Sequence, residues 1–187
     1  CIIAEPEEKR ELSLDEKIPV LVIMGGSQGL GPINKIVSII SRIDIPFQLI
    51  VVCGKNRLLY TKLSLRKRYL KKPTLVFGLI DNIDEIMEIA TVLITKPGGL
   101  TTAEALSKGL PMIIIKPLPG QEAKNTEFLL KSNVALKAKD EIGVGILIKE
   151  LLTNPLKLEQ MRRETLRYSH PNSSLEIAKL ILENTYS

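Results

Sequence analysis

The sequence predicts an α/β fold in which helices cover both faces of a parallel sheet. Short apolar runs bounded by glycine or proline have the length and composition of buried strands, and helical patterns fill the intervals between them. Such alternation requires crossover connections, which produce a parallel sheet in a three-layer α/β/α arrangement. The chain has 187 residues, of which 44% are hydrophobic, so it can bury one substantial core.

The predicted strands follow one another at intervals that leave room for a helix. They cover residues 19–24, 47–53, 74–77, 91–95 and 111–115, with 134–138 as a weaker sixth. The predicted helices cover residues 32–41, 56–71, 83–90, 101–108, 121–131, 141–153, 156–168 and 174–184. Ligands of such sheets bind beyond the carboxyl ends of the strands, so the loops after the strands are the candidate functional segments.

Composition narrows the class of protein. The two cysteines, Cys1 and Cys53, cannot form a framework of disulfides, and we expect a reducing compartment, the cytoplasm. No stretch approaches the roughly 18 to 20 apolar residues of a membrane span. Residues 1–18 are charged and contain proline, which is typical of a linker, so we expect residues 19–187 to form one domain of a longer polypeptide.

The loop after the first strand is rich in glycine and leads into a helix. Gly25, Gly26, Gly29 and Gly31 precede Pro32, which is expected at the first helical position. Free amides at a helix N-terminus attract anions, and glycines let a phosphate approach the backbone. The loop matches neither GxxxxGK[ST] nor GxGxxG, and no acidic residue ends the second strand, which disfavours a triphosphate loop and NAD. A tight turn without a ligand remains the alternative.

The fourth strand is followed by a second glycine loop, in the stretch KPGGLTTAE. Gly98 and Gly99 precede a helix predicted to begin near Thr101, and two such loops on one sheet edge suggest a diphosphate. Glu104 follows Thr101 by three residues, the spacing of a capping box in which both side chains satisfy free amides. The alternative is that the Glu104 carboxylate accepts hydrogen bonds from the two vicinal hydroxyls of a ribose.

Four motifs in this order resemble one family. The stretches GGSQG, GLIDNI, TKPGGLTTAEALSKGLP and PLPGQEAKN resemble the carboxyl-terminal half of glycolipid-forming glycosyltransferases, the group of monogalactosyldiacylglycerol synthase and diacylglycerol glucosyltransferase. This group is related to the bacterial glucosaminyltransferase that makes the peptidoglycan lipid intermediate. The resemblance covers residues 19–152 and implies a GT-B fold, in which two Rossmann-like domains face each other across a cleft. This chain would be the second domain, with a six-stranded parallel sheet.

The resemblance also implies a UDP-sugar site. Its residues would be Gly26, Ser27, Gln28, Gly29, Gly98, Gly99, Leu100 and Thr101 at the diphosphate, Leu79 and Ile80 at the uracil, Glu104 at the ribose, and Gln121, Glu122 and Asn125 at the sugar. On residue type alone, core packing remains the alternative for the two apolar residues. A charge that complements a helix N-terminus remains the alternative for Glu122.

The implied reaction is an inverting transfer of a hexose from a UDP-sugar to a lipid acceptor such as diacylglycerol, with no metal or other cofactor. Preoriented amides and helix ends would stabilise the charge on the departing UDP. The loops offer no general base and no metal cluster, and the one histidine, His170, is expected at the surface. In the family the base and the acceptor site belong to the amino-terminal domain, so we expect this chain to bind the donor without turnover.

The net charge of +5 raises the question of an acidic partner. Basic clusters lie at residues 66–68, 71–72 and 162–163, and most such clusters are solvated helix faces. A lipid acceptor would be met at an anionic membrane surface, where each nearby basic residue contributes roughly 1 kcal/mol. Nucleic acid is disfavoured because only 4% of residues are aromatic and no binding motif is recognisable. A non-catalytic Rossmann-like module that binds a nucleotide or a protein remains the alternative function.

Overall fold

A computed structural model of the chain describes residues 12–185 and contains a six-stranded sheet. The strands are β1 (Val20–Met24), β2 (Gln48–Val52), β3 (Thr74–Phe77), β4 (Val92–Thr95), β5 (Met112–Ile114) and β6 (Ala135–Lys137). Their order is β3-β2-β1-β4-β5-β6, and every neighbouring pair is parallel. The predicted six-stranded parallel sheet is confirmed.

The predicted helices are all present. They are α1 (Ile33–Ile40), α2 (Arg57–Arg66), α3 (Ile83–Glu88), α4 (Gly99–Ser107), α5 (Gln121–Lys131), α6 (Glu141–Thr153), α7 (Pro155–Arg167) and α8 (Ser173–Thr185), with a short 3₁₀ helix (Lys67–Tyr69) after α2. The predicted starts differ from the observed ones by one residue at α1, α2, α7 and α8 and by two residues at α4. Two of these differences concern the glycine loops. Pro32 is the N-cap of α1 and not its first residue. Helix α4 begins at Gly99 and not near Thr101, which changes the reading of its first turn.

Both faces of the sheet are buried. Every residue of β1 and β2 is buried, as expected for strands that helices cover on two sides. One face packs against α1, α2, α6 and α7. The other face packs against α3, α4 and α5. The edge strands differ, since β3 is only partly buried and β6 has one exposed residue. The central strands are continuous apolar runs because neither of their faces meets water.

The strand order reverses direction beside β1, which pairs with β2 on one side and β4 on the other. The helix that follows β1 covers one face of the sheet, and the helix that follows β4 covers the opposite face. The two loops therefore separate at the carboxyl edge and leave a crevice between them. This crevice is the topological switch point at which open α/β sheets bind ligands.

The segment that precedes β1 is attached to the domain. Leu14 is buried against the apolar cluster on the α3–α5 face of the sheet. The Asp15 amide donates to Gln48 Oε1 at 2.8 Å, and Gln48 Nε2 donates to the Asp15 carbonyl at 2.9 Å. Within the predicted linker, residues 12–18 thus contact the domain. Residues 1–11, including Cys1, lie outside the described residues.

Candidate functional site

A cleft of about 390 Å³ opens at the switch point. Nine of the fourteen predicted site residues line it, namely Gly26, Ser27, Leu79, Ile80, Gly98, Gly99, Leu100, Thr101 and Glu104. The structure thus brings together residues from the loops after β1, β3 and β4 and from the first turns of α4. Their roles toward a nucleotide sugar stay predictions.

The glycines of the loop after β1 serve two different purposes. Gly29 is buried with a φ of +59°, and a Cβ at this position would lie 1.9 Å from the Cys53 carbonyl oxygen. The tight-turn reading therefore holds for Gly29, because it lets this loop pack against the loop after β2. Gly26 also has a positive φ, but nothing lies within 4 Å of its Cβ position. Its backbone faces the open cleft, where a phosphate can approach it.

The N-terminus of α4 forms the opposite wall of the cleft. Gly98 is the N-cap residue and has no side chain, and no other side chain caps the helix. The first amides of a helix have no intrahelical acceptor, so those of Gly99, Leu100 and Thr101 are available to an anion. A Cβ at Gly98 would meet no atom within 4 Å. The helix dipole and the free amides thus give this wall the features that favour an anion, and its role toward a phosphate stays a prediction.

Glu104 projects from the second turn of α4 into the cleft. The capping-box reading is wrong, because α4 begins at Gly99 and Thr101 is already inside the helix. The carboxylate lines the cleft and is partly buried. Burial, and then the nearby Asp84 carboxylate, raise the pKa of Glu104 above its usual range. A desolvated carboxylate of this kind is well suited to accept hydrogen bonds from ligand hydroxyls.

The two apolar residues after β3 differ in their surroundings. Ile80 is partly buried and packs against the core cluster on the α3–α5 face, so core packing accounts for part of its role. Leu79 lines the cleft but is 56% exposed, so core packing does not account for it. Together they form an apolar shelf on which a base can stack.

The first turn of α5 lies beside the cleft and is held by internal bonds. Glu122 Oε2 accepts a hydrogen bond from the Leu118 amide at 2.7 Å and lies 3.7 Å from Lys96 Nζ. Asn125 Nδ2 donates to the Pro97 carbonyl at 2.8 Å. These contacts fix the loop after β4 against α5, so both side chains have a structural role. Glu122 also lies in the first turn of α5, as in the alternative that the sequence offered for it. The sequence did not indicate the bond of Asn125.

Gln121 and Gln28 remain available to a ligand. Gln121 is exposed, and its Nε2 lies 3.5 Å from the Cβ position of Gly99, at the start of α4. It therefore extends over the edge of the cleft. Gln28 is exposed and does not line the cleft. Gln28, Gly29, Gln121, Glu122 and Asn125 are thus the five predicted residues outside the cleft wall.

Four residues of the cleft were not predicted from the sequence. Met24 and Val52 end β1 and β2, Gly54 follows β2, and Ile83 begins α3. Their positions could have identified them, because each lies at the carboxyl end of a strand, just beyond it, or at the start of the helix that follows. Met24, Val52 and Ile83 give the cleft an apolar floor, which favours a ligand with a flat apolar ring.

The other chemically reactive residues lie apart from the cleft. Burial raises the pKa of the Cys53 thiol to about 11, so it stays protonated and is a poor nucleophile. His170 is exposed in the turn between α7 and α8. Among residues 12–185, no group of three or more His, Cys, Asp or Glu side chains is arranged to hold a metal ion. The described cleft therefore offers backbone amides, one carboxylate and apolar surface.

A family match decides which proteins this chain is related to. The glycosyltransferase family 28 C-terminal domain matches residues 20–181. The chain belongs to this family. The resemblance drawn from the four motifs is thereby confirmed.

Relatives of this family cover nearly the whole chain. A processive diacylglycerol beta-glucosyltransferase of Bacillus cytotoxicus is 34% identical over 181 residues, which are 96% of this chain and 46% of that protein. The protein of the same name from Bacillus licheniformis is 34% identical over 180 residues, 95% of this chain and 46% of that protein. The chain thus spans about half the length of these relatives.

Solved structures share the fold. Acinetobacter baumannii MurG has a TM-score of 0.74 at 19% identity, over 94% of this chain and 53% of that one. Anabaena HepE in complex with UDP-glucose has a TM-score of 0.70 at 13% identity, over 97% of this chain and 53% of that one. These matches establish the GT-B-type Rossmann-like architecture of the domain.

Proposed function

We propose that this chain is the UDP-sugar-binding domain of an inverting, metal-independent glycosyltransferase that transfers a hexose to a lipid acceptor such as diacylglycerol. The observation that supports the donor site most strongly is the cleft between Gly26 and the N-terminus of α4, with Glu104 in its wall. The family and the names of the relatives support sugar transfer.

The diphosphate of the donor would lie between the two glycine loops. When the acceptor oxygen attacks the anomeric carbon, the bond from that carbon to the phosphate oxygen breaks and UDP departs with the electron pair. Negative charge then grows on the diphosphate, where the amides of Gly99, Leu100 and Thr101 and the helix dipole stabilise it. No metal is needed for this step. The acceptor proton would pass to a base in the amino-terminal domain of the full-length protein.

The nucleoside would be held by residues on two sides of the cleft. Leu79 and Ile80 offer an apolar surface for a single-ring base, and Glu104 accepts from the ribose hydroxyls. The sugar would extend from the second phosphate toward Gln121, with Glu122 and Asn125 nearby. This order places the reacting carbon at the mouth of the cleft, where a second domain can present the acceptor.

The acceptor implies a place at a membrane. A diacylglycerol-type lipid stays in the bilayer, so we expect the protein in the cytoplasm, peripheral to the membrane and with an affinity for its anionic surface. Among the described helices, none has the length and apolar character needed to cross a bilayer. Binding would therefore depend on the surface of the domain.

Calorimetric titration of the chain with UDP, ADP and NAD tests the donor site. Tighter binding of UDP is expected, because the apolar shelf at Leu79 fits a pyrimidine and the two amide walls fit one diphosphate. Equal affinity for UDP and ADP would contradict the proposal and favour a general nucleotide-binding module. Absence of binding to all three would favour a module that binds a partner protein.

A further inference from the structure

The positive charge of this chain is concentrated in one segment. Residues 55–72 contain eight lysines and arginines and no acidic residue. Because the net charge of the chain is +5, all other residues together carry −3. The segment comprises the turn after β2, helix α2 and the 3₁₀ helix that follows. We call its solvent-facing side the α2 basic face.

Large apolar side chains lie among these cations. Leu58, Leu65 and Tyr69 are 85%, 70% and 71% exposed. The seven-residue spacing of Leu58 and Leu65 places them along one side of α2, with Lys62 between them. Tyr69 lies in the 3₁₀ helix that follows. The opposite side of the helix buries Leu63 in the core. The core therefore does not explain why leucines occupy the outer side.

The cations of the α2 basic face have no acidic partners in the described chain. No salt bridge joins any of the eight to a carboxylate of residues 12–185. Arg66 donates to the Asn34 side chain, Lys72 donates to the Ile45 carbonyl, and the Arg68 guanidinium lies 4.7 Å from the Tyr69 ring centroid. These contacts orient the side chains and leave their charge uncompensated.

The α2 basic face continues to the donor cleft. A groove of about 440 Å³ is lined by Lys55, Arg57 and Tyr60 at the start of α2. It shares Gly54 and Leu79 with the cleft. A surface that bound along α2 would thus reach the end of the cleft at which Leu79 is proposed to hold the base.

We propose that the α2 basic face docks the domain on an anionic phospholipid bilayer. Lipid phosphates would neutralise the cations, while the leucines and Tyr69 enter the apolar boundary of the headgroup layer. A nucleic acid would match the charge but would leave Leu58 and Leu65 in water. The inference rests on the lipid acceptor of the proposed function and specifies which surface brings the cleft to that acceptor.

Vesicle sedimentation tests the proposal with the chain itself. The probes are vesicles of equal parts phosphatidylcholine and phosphatidylglycerol, and vesicles of phosphatidylcholine alone. The double variant Lys62→Glu/Arg68→Glu is expected to lower partitioning into the anionic vesicles by at least about thirtyfold, because two attractive charges are lost and two repelled charges are added. The matched control Lys137→Glu/Lys149→Glu changes the net charge equally but lies on β6 and α6, so it is expected to bind nearly as wild type.

A second double variant tests whether apolar side chains enter the bilayer or whether charge attraction alone accounts for binding. Leu58→Ser/Leu65→Ser is expected to lose anionic-vesicle binding several-fold, whereas Ile142→Ser/Ile146→Ser, which removes equally large exposed side chains from α6, is not. Equal losses in a variant and its control, or no loss in either α2 variant, would overturn the proposal. Tighter binding to a single-stranded oligonucleotide than to vesicles, unaffected by Leu58→Ser/Leu65→Ser, would assign the face to nucleic acid instead.

UDP titration of the same variants tests donor binding separately from membrane docking. The four substituted residues of the α2 basic face do not line the cleft, so UDP affinity should stay unchanged in every variant. Lost vesicle binding with intact UDP binding supports the docking face. Intact vesicle binding in the α2 variants with normal UDP binding removes the docking face and leaves the donor site standing.

Discussion

Removal of the Glu104 carboxylate is expected to weaken UDP binding and leave the fold intact. No described hydrogen bond or ion pair depends on this side chain, and it does not cap α4, which begins at Gly99. A hydrogen bond to a charged group contributes about 1.5 to 3 kcal/mol, so Glu104→Ala should weaken UDP by about tenfold to 150-fold.

The effect on stability follows from the direction of the pKa shift. Because burial and Asp84 raise the pKa of Glu104 in the folded chain, ionising it costs folding free energy. That cost appears as the pH rises through the raised pKa and persists at neutral pH. Glu104→Ala should therefore melt at neutral pH at a temperature equal to or above that of the wild type.

Calorimetry with UDP and 2′-deoxy-UDP measures the contact itself. The wild type should bind 2′-deoxy-UDP more weakly than UDP. Glu104→Ala should lose most of this difference, because the 2′-hydroxyl of UDP then has no carboxylate to which it can donate a hydrogen bond. Glu127→Ala, which removes an exposed carboxylate paired with Lys131 on α5, serves as the charge control. Unfolding of Glu104→Ala, or undiminished discrimination in it, would refute the assignment of Glu104 to the ribose.

Three further predictions follow from the geometry. Gln121→Ala should lower affinity for UDP-glucose or UDP-galactose by about 1 to 3 kcal/mol and leave UDP unchanged, and parallel losses for all three ligands would remove Gln121 from the sugar site. Gly29→Ala should lower the free energy of unfolding in urea by more than about 1 kcal/mol, because its Cβ would lie 1.9 Å from the Cys53 carbonyl oxygen. Gly98→Ala should unfold like wild type but bind UDP more weakly, and equal stabilities of the two variants would contradict these expectations. Hydrogen bonds from Lys116, from the backbone amide of Glu141 and from Lys35 lower the pKa of Glu141 from 4.5 to about 2, so its stabilisation is complete above pH 4.5 and is lost as the pH falls toward 2. The melting temperature of Glu141→Gln should therefore decline less than that of wild type across this range, and parallel curves would refute this.

The sheet could be predicted from the sequence because its four central strands are buried on both faces. Each predicted strand end lies within one residue of the observed end. Apolar runs of this kind end sharply at glycine or proline, and they are not interrupted by polar residues at every second position. The loops that line the cleft were predictable for the same reason, since they follow directly from the strand ends.

The start of α4 and the contacts between α5 and the neighbouring loops were not predictable. The start of α4 was misplaced because Thr101 and Glu104 have the spacing of a capping box, whereas the helix uses Gly98 as its N-cap. The bonds from Glu122 to the Leu118 amide and from Asn125 to the Pro97 carbonyl depend on how two loops meet in three dimensions. Local sequence patterns carry no information on such contacts between separate loops.

A crystal structure of the chain with UDP bound is the most direct test of the donor site. The diphosphate oxygens are expected to accept hydrogen bonds from the amides of Gly99, Leu100 and Thr101 and to lie against Gly26, with the uracil on Leu79 and the ribose hydroxyls on Glu104. A nucleotide bound outside this cleft, or one whose phosphates point away from the start of α4, would contradict it.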